Sequence, residues 1–472
     1  MPRRAKLVCT LGPSTATEPS VRALAEARTD VFRVNFSHGD PASHAELVRL
    51  VRSLAEALGR DLTVMADLPG PKIRLGELTE GSLHLDAEHP FVLRADGAPG
   101  DVSGAPTTYA GLADDVREGD RVLLADGAVE LVVRATRGRD VITEVVRAGS
   151  VRARAGVNVP AERLGLPAVT ERDREGLARA LDLGVDLVAQ SFVRRAEDVR
   201  TLRELMGDRS VPIVAKIETR PAIEAIDAVL DEADALMVAR GDLGVELPME
   251  QIPVLQKELL VRARSTGKPA VVATQMLESM IHAPRPTRAE ASDVANAVLD
   301  GADAIMLSGE TAIGEYPVEA ARAAARIAEV AEERAGRFRT PGEPCRHTEE
   351  AAAVAHAAAQ VAAGDPDVVA IACFTGTGRT AELLASERPG VPIYAFSSHQ
   401  RVRRILGLRW GVTSLAAVSP NDTDEMIAVM DAGLVRAGLV RAGQSVVMAA
   451  SSPAGKTHTN MLKVHHIGSA VR

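Results

Sequence analysis

The stretch 186–242, DLVAQSFVRRAEDVRTLRELMGDRSVPIVAKIETRPAIEAIDAVLDEADALMVARGD, holds three short apolar runs: DLVAQS at 186–191, PIVAK at 212–216 and ALMVA at 235–239. Two segments of helical periodicity separate them. Apolar runs without polar alternation mark strands buried on both faces, and strands joined through helices are parallel. Working outward, the same unit recurs. KLVC at 6–9, VFRVN at 31–35 and LTVMAD at 62–67 precede the stretch, and AVVA at 270–273 and AIML at 304–307 follow it. Eight such units are what a closed (β/α)8 TIM barrel requires. An open doubly wound sheet is the alternative, but no Gly-rich dinucleotide fingerprint follows the first run.

Between the third and fourth runs the spacing breaks, where roughly 90 residues stand in place of one helix. There the pattern alternates with period two: 121–125, an Asp126-Gly127 turn, then 129–133 and 141–146. Antiparallel hairpins follow from that pattern, so a β-rich lid domain should project from the barrel's C-terminal face. A polar, Pro-containing stretch at 334–349 reads as a linker. Beyond it, runs at 368–374, 393–396, 412–415 and 446–449 alternate with helical segments and predict a C-terminal α/β domain. The expected division is a barrel of 1–70 and 165–335, a lid of 71–164 and a regulatory domain of 336–472.

Composition narrows the function. The chain has 472 residues, 46% hydrophobic and 25% charged, as in ordinary folded proteins. A net charge of −9 with only 2% aromatic residues argues against nucleic-acid binding, which calls for basic patches and stacking platforms. Cys9, Cys345 and Cys373 stand far apart in no zinc or disulfide pattern. Neither an export signal nor a bilayer-length apolar run is evident, so a cytoplasmic protein without membrane contact is expected.

In a barrel the chemistry gathers where the strands end. Here those ends are polar: Arg33, Asn35 and Ser37 after the second run, Asp67 after the third, Ser191 after the fourth, Lys216 and Glu218 after the fifth. Arg240 and Asp242 follow the sixth, Thr274 and Gln275 the seventh, Ser308 and Glu310 the eighth. Glu218 and Asp242 form a carboxylate pair without His or Cys. That set favours a hard divalent cation such as Mg2+, which takes its remaining oxygens from water and a phosphorylated substrate. A plain ion pair between Lys216 and either carboxylate is the alternative. Arg33 and Arg74 add the cationic grip that phosphoryl transfer needs.

These residues lie in long ordered motifs: RVNFSHG at 33–39, MADLPGPKIR at 65–74, KIE at 216–218 and MVARGDLG at 237–244. ATQMLESMIHAPRPTRAE at 273–290, SDVANAVL at 292–299 and MLSGET at 306–311 complete them. In these motifs the chain closely resembles the pyruvate kinases, and the likeness extends across essentially its whole length. The resemblance implies transfer of the phosphoryl group of phosphoenolpyruvate to ADP, with Mg2+ or Mn2+ held by Glu218 and Asp242. It implies that Lys216 and Arg33 act on the phosphoryl group, and that Gly241, Asp242 and Thr274 receive the substrate carboxylate. Thr274, Ser308 and Glu310 would serve protonation of the enolate. Asn35, His38, Arg74 and Asp126 would form the nucleotide side. A homotetramer is the family's usual assembly.

The resemblance further implies a phosphorylated allosteric effector at Thr375, Gly376, Thr377, Gly378, Arg379 and Thr380, assisted by Lys456, Thr457 or the basic run Arg401, Arg403 and Arg404. Potassium-dependent relatives hold the ion with oxygens matching Asn35, Ser37 and Asp67. They carry Thr and Glu where this chain has Leu68 and Lys72, so Lys72 is expected to replace the ion. Many relatives also have Lys where Ala155 stands, leaving Arg154 as the candidate substitute. Two rival readings are a metal-dependent pyruvate aldolase and a non-catalytic metabolite sensor. The aldolase has no need of a lid or the Arg33 to His38 motif, and the sensor has no need of intact Lys216, Glu218, Asp242 and Thr274.

Overall fold

The computed structural model describes residues 3–125, 127–209, 211–335, 350–452 and 458–469. Eight parallel strands close into a barrel: Lys6–Leu11, Val31–Asn35, Thr63–Asp67, Leu187–Gln190, Ile213–Ile217, Ala235–Ala239, Ala270–Ala273 and Ala304–Leu307. These are the eight runs read from the sequence. Their alternation sorts the side chains. Val8, Val31, Met65, Ala189, Val214, Met237 and Met306 fill the barrel interior, while Cys9, Phe32, Val34, Ala215 and Ile217 face the surrounding helices.

Side chains two residues further along each strand share the inner face. That rule carries Thr10, Arg33, Asp67, Ser191 and Lys216 into one polar layer at the barrel's C-terminal mouth, directly above the apolar filling. In register Thr10 lies opposite Arg33 and Arg33 opposite Met65, so Asp67 stands one inner-face step further along and reaches back to Arg33 at 2.6 Å.

The inserted segment forms a six-stranded sheet and a two-stranded one. The expected hairpin is there, as Arg121–Leu124, Val129–Arg137 and Asp140–Arg147. Five further strands, Ser82–Leu85, Pro90–Arg94, Gly104–Pro106, Gly149–Arg152 and Val157–Asn158, were not anticipated. They are short or carry Pro and Gly, so they offer no readable alternation. The chain leaves the barrel through Gly70, which has φ of 70° and would place a β carbon 2.9 Å from that of Ser191. Only glycine fits there. It returns through Leu164 to Leu166, whose carbonyls accept from the buried Arg194 guanidinium at 2.8 and 3.1 Å.

The C-terminal sheet has five strands, in the order Val412–Ala416, Ile393–Ser397, Val368–Phe374, Ser445–Ala450, Met461–His466. The first four are parallel neighbours in the expected positions, and the antiparallel Met461–His466 was missed. This domain docks on the barrel's opposite end. Leu408 joins the barrel's interior cluster, Arg403 pairs with Asp61 at 2.7 Å, and Lys6 Nζ donates to the Val412 carbonyl at 2.7 Å. Trp410 lies between the guanidinium groups of Arg4 and Arg388. No helix among the described residues is long and apolar enough to cross a membrane.

Candidate active site

The polar layer is a connected network. Arg33 Nε donates to Asp67 Oδ2 at 2.6 Å and its Nη1 to Thr10 Oγ1 at 2.9 Å. The Lys216 ammonium donates to Ser191 Oγ at 2.7 Å and lies 2.8 Å from Glu218 and 3.3 Å from Asp67. Ser191 in turn donates to the Leu68 carbonyl at 2.7 Å, and the Phe192 N–H donates to Glu218 Oε2 at 2.9 Å. Arg33, Asp67, Lys216 and Glu218 are all buried.

Burying charge is costly unless it is paired, and the pairing decides each titration. Burial alone would lower the Lys216 pKa, but Asp67, Glu218 and Asp242 outweigh it and push it up, so the ammonium stays charged. Burial would raise Asp67, yet Lys216 and Arg33 hold it below the usual carboxylate range. Glu218 goes the other way. Burial, with repulsion from Asp242, raises its carboxyl despite Lys216. Lys216 and Arg33 here face Asp67, Glu218 and Asp242, and Lys72 acts on Glu218 from the cavity wall.

Glu218 Oε1 is buried against the Lys216 ammonium, 2.8 Å away, so the plain ion pair raised as the alternative is present. Two carboxylates that open onto one ligand-sized cavity without His or Cys fit a divalent cation. The described residues contain no cluster of three or more His, Cys, Asp or Glu placed to hold a metal. Glu218 and Asp242 therefore match the two-carboxylate mode of Mg2+, in which a ligand's oxygens complete the shell.

Both carboxylates open onto a cavity of about 260 Å³ between barrel and lid. His38, Lys72, Arg74 and Glu246 line it with them, and Val157, Asn158 and Leu164 supply the lid side. Burial lowers the His38 pKa, and Arg74, Lys72, Arg33 and Arg172 lower it further. That gathering of cations is suited to a polyphosphate. Burial pushes the Glu246 carboxyl up to about 7.

Several expected residues are placed differently. Glu310 is 1% exposed, and its two oxygens accept from the Leu277 and Ser308 N–H groups at 3.0 and 2.7 Å. It therefore clamps two strand-end loops, each oxygen accepting one N–H. Gly241 does face Thr274, but its N–H already donates to Thr274 Oγ1 at 2.8 Å, so a ligand carboxylate must share or displace that bond. Arg154 is exposed, pairs with Glu77 at 2.6 Å and is not among the residues lining the cavity. Asp126 lies outside the described residues.

In the C-terminal loop, the Gly378 N–H donates to Thr375 Oγ1 at 2.9 Å and Thr380 pairs with Thr459 at 2.6 Å. Gly376 and Thr377 are the exposed part of that loop. Arg403 is spent on Asp61 and the Ser397 carbonyl, so it serves the domain seam instead of the loop. Lys456 and Thr457 lie outside the described residues.

Sequence reasoning singled out Ser191 but not Phe192, Arg194 and Arg172. Phe192, with φ of 59°, is a backbone conformation unusual for a residue with a β carbon, and such strain collects at functional sites. Nothing in the one-dimensional pattern reports it.

Known proteins are similar to this chain over its length. The family model described as pyruvate kinase, barrel domain, matches residues 2–321, and that for the pyruvate kinase alpha/beta domain matches 352–465. A pyruvate kinase of Mycobacterium tuberculosis (strain ATCC 25618 / H37Rv) is 44% identical over 474 residues, covering 99% of both chains. One from Corynebacterium glutamicum is 42% identical over 475 residues, covering all of this chain and 99% of that protein. One from Geobacillus stearothermophilus is 41% identical over 479 residues, 99% of this chain and 81% of that protein. With both models matched in order and full-length relatives above 40% identity, the chain belongs to the pyruvate kinase family.

Proposed function

We propose that this chain transfers the phosphoryl group of phosphoenolpyruvate to ADP, giving pyruvate and ATP. The observation that carries the reading is the buried layer of Arg33, Asp67, Lys216 and Glu218 opening, with Asp242, into a cation-lined cavity under a lid. Charge on the migrating phosphoryl group spreads over its equatorial oxygens, so fixed cations matter more than covalent chemistry. Lys216 and Arg33 supply them. A divalent cation, Mg2+ or Mn2+, held by Glu218 and Asp242 would neutralise phosphoryl and enolate oxygens. His38, Arg74 and Asn35 would receive the nucleotide. Thr274, beside Gly241 and Asp242, would orient the substrate carboxylate and serve the carbon that gains a proton, with Ser308 nearby and Glu310 holding the loop.

We read 1–70 with 165–335 as the catalytic barrel, 71–164 as the lid and 336–472 as the regulatory domain, in a cytoplasmic homotetramer. Pyruvate formation from phosphoenolpyruvate, ADP and Mg2+ tests the reaction. No pyruvate above the rate without protein would sink it. A pyruvate aldolase would instead act on a carbon–carbon bond without nucleotide, and a sensor would bind without turnover.

The carboxylate pair makes a separate prediction. Glu218→Gln keeps size but removes charge and should raise the Mg2+ needed for half activity about fivefold or more. An unchanged Mg2+ titration would remove Glu218 from the metal site.

The 375–380 loop remains our choice for a phosphorylated effector, because Gly376 and Thr377 are exposed ahead of the helix Arg379–Ser386. A sugar or nucleoside phosphate that shifts substrate saturation in the parent should lose that effect when Thr377→Ala and Arg379→Ala are combined. If no phosphorylated metabolite moves the saturation curve or the thermal midpoint, the effector reading fails.

A further inference from the structure

Arg240 is adjacent to Gly241, yet its side chain does not face the cavity. It is only 10% exposed, and its Nε–H is buried without a hydrogen-bond partner. The terminal nitrogens make all its contacts. Nη2 donates to the Thr274 carbonyl at 2.8 Å and the Gln275 carbonyl at 3.3 Å, and lies 2.9 Å from the Met276 sulfur. Nη1 pairs with Asp293 at 2.7 Å and reaches Gln256 at 3.4 Å.

Thr274 and Gln275 both have left-handed backbones, with φ of 68° and 53°. Two consecutive residues with β carbons hold that conformation only when their surroundings impose it. Their carbonyls converge on one guanidinium. The next residue completes the lock, since the Gly241 N–H donates to Thr274 Oγ1, and Thr274 Oγ1 donates to the Ala273 carbonyl at 2.6 Å. Backbone and side chain of Thr274 are thus fixed from two consecutive residues of one loop.

We infer that Arg240 is a positioning residue for Thr274, its guanidinium fork holding the strained 274–275 backbone so that the Thr274 hydroxyl stays beside Gly241. Arg240 touches neither substrate nor metal in this account, and Asp293 sets its orientation. The inference rests on the proposed role of Thr274 in the reaction.

A double-mutant cycle on the full chain tests it, with pyruvate formation and Mg2+ titration as readouts. Arg240→Met should lower kcat about tenfold while the half-saturating Mg2+ stays within about twofold. In the Thr274→Val background, itself lowered about tenfold, the same change should cost less than about twofold. Equal losses in both backgrounds would overturn the assignment, as would a parent-like kcat in Arg240→Met. A parent-like kcat in Thr274→Val would overturn both this inference and the role of Thr274. If Arg240→Met fails to fold by circular dichroism, Arg240→Lys replaces it, keeping the Asp293 pair but not the fork, with the same background dependence expected.

Discussion

Lys216→Met slows phosphoryl transfer by a factor of about 100 or more, the cost of losing a preorganised electrostatic contact in a closed site. The ammonium it removes is buried, is held in place by Ser191, Asp67 and Glu218, and stays charged because those carboxylates with Asp242 outweigh the cost of its burial. Nothing nearby replaces it. Arg33 is tied to Asp67 and Thr10, and Lys72 has no hydrogen bond or ion pair to the Asp67, Ser191 or Glu218 partners of Lys216. The substitution keeps much of the aliphatic stem, so the loss should appear in kcat more than in KM for ADP. Mg2+ binding should survive, since the variant loses a cation that competes for Glu218. Without Mg2+ the variant leaves Asp67 and Glu218 without their shared buried ammonium, and breaking buried pairs of this kind costs on the order of 3–5 kcal/mol. Its thermal midpoint should therefore fall, and added Mg2+ should restore part of the drop. Near-normal turnover would remove Lys216 from the chemistry.

The difference between what the sequence could and could not show is itself physical. All eight barrel strands are legible because strands buried on both faces are uniformly apolar. Their polar termini then read out the mouth, since the inner-face rule that buries Met65 and Val214 also places Asp67 and Lys216. The lid's short strands, such as Gly104–Pro106, have too few residues to show a period. Roles that depend on where a backbone group points were also hidden. Glu310 looked like a free acid in a strand-end motif, but two N–H groups occupy it. Arg240 looked like one more rim charge, while its partners are carbonyls whose orientation comes from left-handed residues 34 and 35 positions away.

The monovalent cation is where the two kinds of reasoning meet. The potassium position implied by the resemblance falls at Asn35, Ser37 and Asp67, and here several polar atoms of these residues have partners within the protein. Asn35 Oδ1 accepts the Ser37 N–H at 3.0 Å, the Ser37 carbonyl accepts from Arg172 at 2.9 Å, and Asp67 is shared between Arg33 and Lys216. Leu68, 2% exposed, brings no oxygen where a Thr would. Lys72 lies on the cavity wall, close enough to act electrostatically on both His38 and Glu218. A tethered ammonium there supplies the single positive charge a bound potassium would supply, without a binding equilibrium. Turnover in tetramethylammonium or Tris buffer at constant ionic strength should therefore lie within about threefold of that in potassium. Lys72→Glu reverses the local charge by two units and should be slow without potassium, gaining about 30-fold when it is added. A tenfold or larger gain from potassium in the parent would show that Lys72 does not do the ion's work. A parent-like Lys72→Glu would show that neither is needed.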